Sequence, residues 1–110
     1  MSEKLKTVYI AGKITGDPHY KSKFESAERK LVETGFSVMN PTILPNGFAY
    51  DVYMAIGKEM LLACDYVCFL PDWKESKGAV IEMETALLAE KYIFFYDLFE
   101  AFGDHNQLKG

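Results

Sequence analysis

The sequence has few residues of the kinds that build metal and redox sites, with only two cysteines and two histidines among 110 residues. Cys64 and Cys68 are separated by three residues, and a structural zinc site needs further cysteine or histidine ligands at suitable spacing. His19 and His105 fall in a predicted loop and in the C-terminal tail, without a partner that would make either a catalytic base. We therefore expect no metal and no cofactor, and we interpret both cysteines as small core residues.

An excess of positive charge and a long apolar run are also missing. Twelve lysines and arginines stand against sixteen aspartates and glutamates, for a net charge of −4. This balance disfavours a nucleic-acid duplex as partner, although it is compatible with a single small phosphate ester. No apolar run approaches the length of a membrane span, and the first six residues contain no signal-peptide core. We expect a cytoplasmic protein with no membrane partner.

Short apolar runs instead alternate with segments of helical periodicity. The predicted strands are residues 7–11, 36–39, 66–70 and 92–96, and the predicted helices are residues 20–34, 52–63 and 78–90. A further helical turn is expected near 98–102, followed by a frayed tail. This alternation predicts a single domain over residues 1–110, an α/β fold with a flavodoxin-like, doubly wound parallel sheet of four to five strands and helices on both faces. The predicted core faces are Tyr53, Ile56, Met60 and Ala63 in the second helix and Val80, Met83 and Leu87 in the third.

Two polar segments follow the first and third predicted strands. The first is the loop Gly12-Lys13-Ile14-Thr15-Gly16. In the second, Glu82 lies in a helix with Gly78 and Ala86 at helical spacing, and such small neighbours leave room for a ligand. Because ligands of open α/β sheets bind beyond the carboxyl ends of the strands, we expect the two segments to meet there. The alternative is that Glu82 lies on a solvated helix face.

Four motifs occur in order between residues 7 and 96: Tyr9-Ile10-Ala11-Gly12, Asn40-Pro41, Cys64-Asp65 and Ser76-x-Gly78-x-x-x-Glu82-x-x-x-Ala86. Together they resemble the nucleoside 2-deoxyribosyltransferase family, in particular its short bacterial and phage branch, and they are similar to deoxynucleoside-monophosphate N-glycosidases. The resemblance implies that Glu82 is a nucleophile that attacks the anomeric carbon of a deoxyribosyl ring and that Tyr9 holds it. It also implies a homo-oligomer that shares its site between subunits.

The chain departs from this family in one helix. Many relatives carry a base-handling aspartate before the third strand, whereas this stretch reads Ile56-Gly57-Lys58-Glu59. The departure bears on how the leaving base is recognised.

The candidate catalytic residues are Glu82, Tyr9 and Asp72. Glu82 lies about one turn into its helix, where the helix dipole is expected to favour the ionised carboxylate. Asp72 is a candidate general acid for the departing base, or alternatively caps the turn after the third strand. Ser76 is a candidate N-cap whose hydroxyl can also face a ligand.

The candidate substrate-binding residues lie in the loop after the first strand and at the start of the third helix, together with one asparagine after the second strand. Lys13 and Lys77, with free backbone N–H groups, are candidates for holding a 5′-monophosphate, although loop lysines are more often simply solvated. Asn40 is expected either to bind a base edge or to form an Asx turn. Tyr50, Tyr53 and Trp73 are candidates for base stacking or for the core. The full set is Gly12, Lys13, Ile14, Thr15, Gly16, Asn40, Ser76, Lys77 and Gly78.

The leading hypothesis is an enzyme that cleaves or transfers the N-glycosidic bond of a 2′-deoxynucleoside or its 5′-monophosphate. The reaction would pass through a covalent glutamyl–deoxyribosyl intermediate, since a carboxylate can trap an oxocarbenium-like sugar. One alternative is a non-catalytic nucleotide-binding module on the same fold. A third hypothesis is an interaction protein that uses exposed aromatic residues at an oligomer interface.

Overall fold

The structure is a computed structural model that describes residues 6–103. The strands are β1 (Lys6–Ala11), β2 (Phe36–Met39), β3 (Tyr66–Phe69) and β4 (Tyr92–Phe95), and the main helices are α1 (Tyr20–Thr34), α2 (Tyr50–Leu62) and α3 (Lys77–Leu88). The four predicted strands and three predicted helices are confirmed, with ends that agree to within two residues. Helical turns over Tyr96–Leu98 and Phe99–Gly103 cover the predicted short helix. The predicted frayed tail and His105 lie outside the described residues.

The four strands form one parallel sheet in the order β2-β1-β3-β4. Because β1 has β2 on one side and β3 on the other, the chain reverses its winding direction between β1 and β3. The predicted doubly wound α/β fold is confirmed, with four strands among residues 6–103. Ligands of such sheets bind at the carboxyl ends of the strands on either side of this reversal.

A buried apolar layer covers each face of the sheet. Phe24, Ala27 and Leu31 of α1 pack on one face, where they contact the alternate residues Val8 and Ile10 of β1. The other face is covered by α2 and α3, and its buried members are Tyr9, Ala11, Leu61, Cys64, Val67, Phe69 and Ala86. Because side chains alternate along a strand, Tyr9 faces α2 and α3 while its neighbours face α1. Both cysteines are buried in these layers, as predicted.

The predicted core face of α3 is confirmed at Met83, which is half-buried against the core, and is wrong at Val80 and Leu87. Val80 is 37% exposed and Leu87 is 62% exposed, whereas the buried residues of this helix are Ala79, Glu82 and Ala86. Small side chains allow a helix to lie close to the sheet, so α3 turns its alanines inward and its larger aliphatic residues outward.

In α2 the predicted core residues Tyr53 and Met60 are half-buried, and Met60 packs against the core, whereas Ile56, at 39%, and Ala63 are exposed. The buried residues of this helix are Gly57 and Leu61. No helix within residues 6–103 is long and apolar enough to cross a membrane.

Candidate functional site

A cavity of about 660 Å³ lies beyond the carboxyl ends of β1 and β3. It is lined by residues from β1 and the loop after it, from α1, from the chain between β2 and α2, from α2 itself, from the turn after β3 and from the start of α3. Its volume is in the range of small-molecule and cofactor sites. The two polar segments after β1 and β3 therefore meet, as the sequence predicts.

Tyr9 and Glu82 form a hydrogen-bonded pair at this cavity. The Tyr9 hydroxyl donates to Glu82 Oε2 at 2.7 Å, and the two residues are 1% and 8% exposed. Tyr9 comes from the third-last position of β1 and Glu82 from the second turn of α3, so the sheet and the helix fix both ends of the bond. The interpretation of Glu82 as a residue on a solvated helix face is wrong.

Burial is the largest influence on the ionisation of this pair. It raises the pKa of Glu82 from 4.5 to about 7, against the opposing effect of the hydrogen bond from Tyr9. Burial and the nearby Glu82 carboxylate raise the pKa of Tyr9 well above 10.0, so the phenol remains a proton donor. The expected preference for an ionised Glu82 is therefore wrong for the free protein, because burial raises the pKa above its ordinary value and so favours the protonated form.

The start of α3 forms one wall of the cavity. Ser76 is the N-cap, as predicted, and its Oγ accepts a hydrogen bond from the Ala79 N–H at 3.1 Å. Ser76, Lys77 and Gly78 line the cavity together with Ala79. A Cβ atom at Gly78 would lie 3.1 Å from Met54 Sδ and 3.2 Å from the Tyr50 hydroxyl, so glycine permits α2 and α3 to approach here.

The loop after β1 contributes only part of its predicted set. Gly12, Ile14 and Thr15 line the cavity, whereas Lys13 and Gly16 do not. The Lys13 ammonium pairs with Glu75 Oε1 at 3.3 Å. A Cβ atom at position 12 would lie 2.8 Å from Leu70 Cδ1 and 3.0 Å from Leu70 Cβ, so glycine lets this loop pass close to Leu70.

Asp72 lies outside the cavity and closes an ion-paired cluster instead. Its Oδ1 accepts a hydrogen bond from the Lys13 N–H at 3.1 Å, and its Oδ2 pairs with the Lys23 ammonium. The same ammonium donates to Asp17 Oδ2 at 2.5 Å and to the Lys13 carbonyl at 2.9 Å. These contacts tie the loop after β1 to α1 and to the turn after β3. Asp72 stands at the N-cap position of the turn after β3, but its side chain makes no capping hydrogen bond there, so the turn-capping interpretation is wrong. Because both carboxylate oxygens are held by Lys13 and Lys23, the geometry does not support a general acid either.

Asn40 forms an Asx turn and lies outside the cavity lining. Its Oδ1 accepts from the Thr42 N–H at 2.9 Å and from the Thr42 hydroxyl at 2.7 Å, and its Nδ2 donates to Glu28 at 2.9 Å. Asn40 is 4% exposed, and these hydrogen bonds use both its oxygen and its nitrogen. The Asx-turn interpretation is therefore supported over binding of a base edge. The adjacent residues Pro41 and Thr42 line the cavity in its place.

The aromatic candidates divide between the cavity and the core. Tyr50 and Tyr53 line the cavity, whereas Trp73 packs against Phe69 and Phe95 at ring distances of 5.3 Å and 6.2 Å. The Tyr53 hydroxyl also donates to the Pro45 carbonyl at 2.5 Å and so anchors the loop before α2.

Several lining residues were not predicted from the sequence. These come chiefly from the start of α1, from the chain after β2, from α2 and from the turn after β3: Tyr20, Phe24, Leu44, Asn46, Met54 and Glu75. The one signal that the sequence offered was the long loop between residues 40 and 49, since binding residues are often carried by loops. Among residues 6–103, no three His, Cys, Asp or Glu side chains are grouped as a metal site requires.

Comparison with solved structures supports the fold. The 2-desoxiribosyltransferase from Leishmania mexicana superposes with a TM-score of 0.64 at 21% sequence identity, over 82% of this chain and 63% of that protein. The present chain thus corresponds to less than two thirds of that protein's length. The sequence-based resemblance is confirmed at the level of the fold.

Comparison at the sequence level gives a family and no curated relative. No curated protein matches the chain. A family model described as "Domain of unknown function (DUF4406)" matches residues 6–95. Because the match covers most of the 110 residues of this chain, the chain belongs to the DUF4406 family.

Proposed function

We propose that the protein cleaves or transfers the N-glycosidic bond of a 2′-deoxynucleoside or its 5′-monophosphate. One observation carries the proposal: a buried glutamate, Glu82, is held by the Tyr9 hydroxyl at 2.7 Å and faces a cavity of about 660 Å³. A buried carboxylate with a perturbed pKa in a cavity is a frequent mark of a catalytic group. The similarity of the fold to a 2-desoxiribosyltransferase adds support at the level of reaction class.

In the proposed mechanism Glu82 attacks the sugar C1′ atom. Because Tyr9 holds Oε2, the attacking atom is Oε1. The bond from C1′ to the base nitrogen breaks, its electron pair leaves with the base, and an ester forms between Glu82 and the sugar. A second base or a water molecule then attacks C1′, the ester bond breaks, and its electron pair returns to the Glu82 carboxylate. The proton that this acceptor loses balances the proton that the departed base takes up. The first acceptor gives a transferase and the second a hydrolase.

The mechanism requires the ionised form of Glu82. With its pKa raised to about 7, Glu82 exchanges between the protonated and the ionised form near neutral pH in the free protein. Burial favours the protonated form of Glu82 and so raises its pKa. The hydrogen bond from Tyr9 favours the charged form and limits this increase. Burial in turn leaves the carboxylate poorly hydrated, which makes it the stronger nucleophile when ionised.

The substrate is proposed to lie across the cavity with its 5′ end at the start of α3. The helix N-terminus and the side chains of Ser76 and Lys77 offer hydrogen-bond donors and positive charge to an alcohol or a phosphate. The base would then lie toward α2, where Tyr50, Tyr53 and Leu44 offer an apolar and aromatic surface.

A non-catalytic nucleotide-binding module is the second candidate, and one observation favours it. Among the described residues that line the cavity, the only carboxylic acids are Glu75 and Glu82, and Glu75 is paired with Lys13. Asp72 is held in the ion-paired cluster. The departing base therefore has no evident carboxylic acid to protonate it, and the cavity would bind a nucleotide without turnover.

An exchange assay separates the two candidates. The protein is incubated with deoxynucleosides, their 5′-monophosphates and free bases, and released or exchanged bases are measured by liquid chromatography. We expect turnover that Glu82→Ala abolishes while circular dichroism shows the fold retained. A thermal shift with nucleotide but no product, in the parent and the variant alike, would support the binding module.

A homo-oligomer is also proposed, because α3 presents Val80, Ile81, Leu87 and Leu88 on its exposed surface. Leu88 is 86% exposed, and apolar groups of this size on one helix mark association surfaces. Light scattering coupled to size exclusion should give a mass above that of the monomer, and Leu88→Lys should lower it. A monomer at all concentrations would contradict the proposal.

A further inference from the structure

Gly57 lies in the interior of α2, directly against the Tyr9–Glu82 pair. A Cβ atom at this position would lie 3.0 Å from Glu82 Oε2 and 3.0 Å from the Tyr9 hydroxyl oxygen. Those are the two atoms joined by the 2.7 Å hydrogen bond. The backbone at Gly57 is not in the left-handed region that favours glycine, and glycine is an unfavourable residue inside a helix. Its presence is therefore explained by the space it leaves for the pair.

We propose that Gly57 is a positioning residue for Glu82. By presenting no side chain, it sets the distance at which the Tyr9 hydroxyl and the carboxylate meet. The geometric part of this proposal stands on the contacts alone. Its catalytic consequence rests on the proposed function.

The consequence of adding a methyl group follows from which partner can move. Tyr9 is 1% exposed and packed within β1, whereas Glu82 is 8% exposed and borders the cavity. A methyl group at Gly57 would therefore displace the carboxylate by a few tenths of an ångström and lengthen the bond from Tyr9. A weaker hydrogen bond to the charged form raises the pKa of Glu82, and the added carbon desolvates it further.

Tyr9 and Glu82 are the only titratable residues of the described cavity lining with atoms among the three nearest to a Cβ atom at Gly57. Tyr9, from β1, is the hydrogen-bond donor to Glu82. The remaining titratable residues that line the cavity, from α1, α2, the turn after β3 and the start of α3, are Tyr20, Tyr50, Tyr53, Glu75 and Lys77.

The test is a double-mutant cycle read out on the ionisation of Glu82. The carboxyl carbon of Glu82 is titrated by ¹³C NMR in the parent, in Gly57→Ala, in Tyr9→Phe and in the double variant. We expect Gly57→Ala to raise the pKa by about 0.5 to 1, the size of one weakened hydrogen bond. In the Tyr9→Phe background the same substitution should have a clearly smaller effect, because the bond it disturbs is already absent.

Two results would overturn the proposal. One is a Glu82 pKa that is the same in Gly57→Ala and in the parent. The other is an equal increase with and without the Tyr9 hydroxyl. Ala55→Gly, at an exposed position of the same helix, is the matched control, because it alters helix propensity away from the pair and should leave the Glu82 pKa unchanged.

A stability measurement keeps the proposal testable if Gly57→Ala folds poorly. Removing the carboxylate makes room for the methyl group, so Gly57→Ala should destabilise the protein less in the Glu82→Ala background than in the parent. Equal destabilisation in both backgrounds would overturn the proposal.

Turnover supplies a separate readout. If the proposed function holds, Gly57→Ala should lower kcat about tenfold or more with KM little changed, because the nucleophile is misplaced while the binding surface is intact. An unchanged kcat in a parent that turns over would overturn the catalytic part. If the parent shows no turnover, the proposed function fails, and the NMR cycle still decides whether Gly57 positions Glu82.

Discussion

Replacing Glu82 by glutamine should make the folded protein more stable at alkaline pH. Glutamine has nearly the same shape as glutamate and can still accept the hydrogen bond from Tyr9, but it carries no ionisable proton. The buried carboxyl has a pKa of about 7 against an ordinary value of 4.5. At 1.36 kcal/mol for each pKa unit, this difference corresponds to about 3 kcal/mol between the two protonation states.

The sign follows from where the proton binds more tightly. Because the pKa is raised in the folded state, the protonated carboxyl contributes stability that is fully present below pH 4.5. That stability is lost as the pH rises through about 7, where the folded protein must ionise a buried group. The parent should thus lose up to about 3 kcal/mol between pH 4.5 and pH 8.5 relative to Glu82→Gln.

Urea denaturation of both proteins at pH 5, 6, 7 and 8.5 measures the effect. The difference in the free energy of unfolding between variant and parent removes the contribution of every other titrating group, because both proteins share those groups. We expect this difference to shift in favour of Glu82→Gln by roughly 2 to 3 kcal/mol from the lowest to the highest pH. A difference that does not change with pH would refute the reasoning, since it would mean that Glu82 titrates alike in the folded and unfolded states.

Three further predictions concern the pair and the ion-paired cluster. Tyr9→Phe removes the hydrogen bond that favours the charged form, so the Glu82 pKa measured by NMR should rise above that of the parent, and a fall would contradict the assignment. In the parent, kcat/KM should climb with an apparent pKa of about 7 and be about tenfold below its plateau at pH 6, whereas a flat profile from pH 5 to 8 would contradict an ionised Glu82 as the reactive form. Lys23→Met removes the cation shared by Asp17 and Asp72 and should cost about 1 to 2 kcal/mol in urea denaturation, against no measurable cost for the exposed control Lys21→Met. Equal effects of the two lysine substitutions would show that the cluster contributes nothing to stability.

The fold could be predicted largely from local sequence signals. Periodicity and breakers such as Gly35, which ends α1 with a φ of 110°, depend on neighbouring residues alone. The alternation of strands and helices then restricts the topology to a parallel sheet. The convergence of the two polar segments followed from that topology without any knowledge of side-chain packing.

The inward faces of α2 and α3 could be predicted only in part from hydrophobic pattern, which placed Met60 and Met83 against the core. Pattern assigns the larger aliphatic residues to the core, yet Gly57, Ala79 and Ala86 are among the buried positions, beside Leu61. Small residues are selected at these positions because the helices lie close to the sheet and to each other. That closeness is a property of the packed structure and not of any one segment.

The roles of individual polar side chains depend on partners that are distant in the chain. Asp72 pairs with Lys23, 49 residues away, and this contact withdraws it from the cavity. The helix dipole suggested an ionised Glu82, whereas the degree of burial decides its pKa. In both cases the local motif identified a candidate residue, and its partners and burial in the folded protein determined its hydrogen bonding or its protonation.

The central claim is that Glu82 forms a covalent bond with the sugar. The most direct measurement is mass spectrometry of protein quenched in acid during incubation with a deoxynucleoside or its 5′-monophosphate, followed by peptide mapping. The account predicts an added mass of one deoxyribosyl unit, or of its 5′-phosphate, on the peptide that contains Glu82, and no such addition in Glu82→Gln. Release of free base by Glu82→Gln at the rate of the parent, with no modified peptide in either protein, would contradict it.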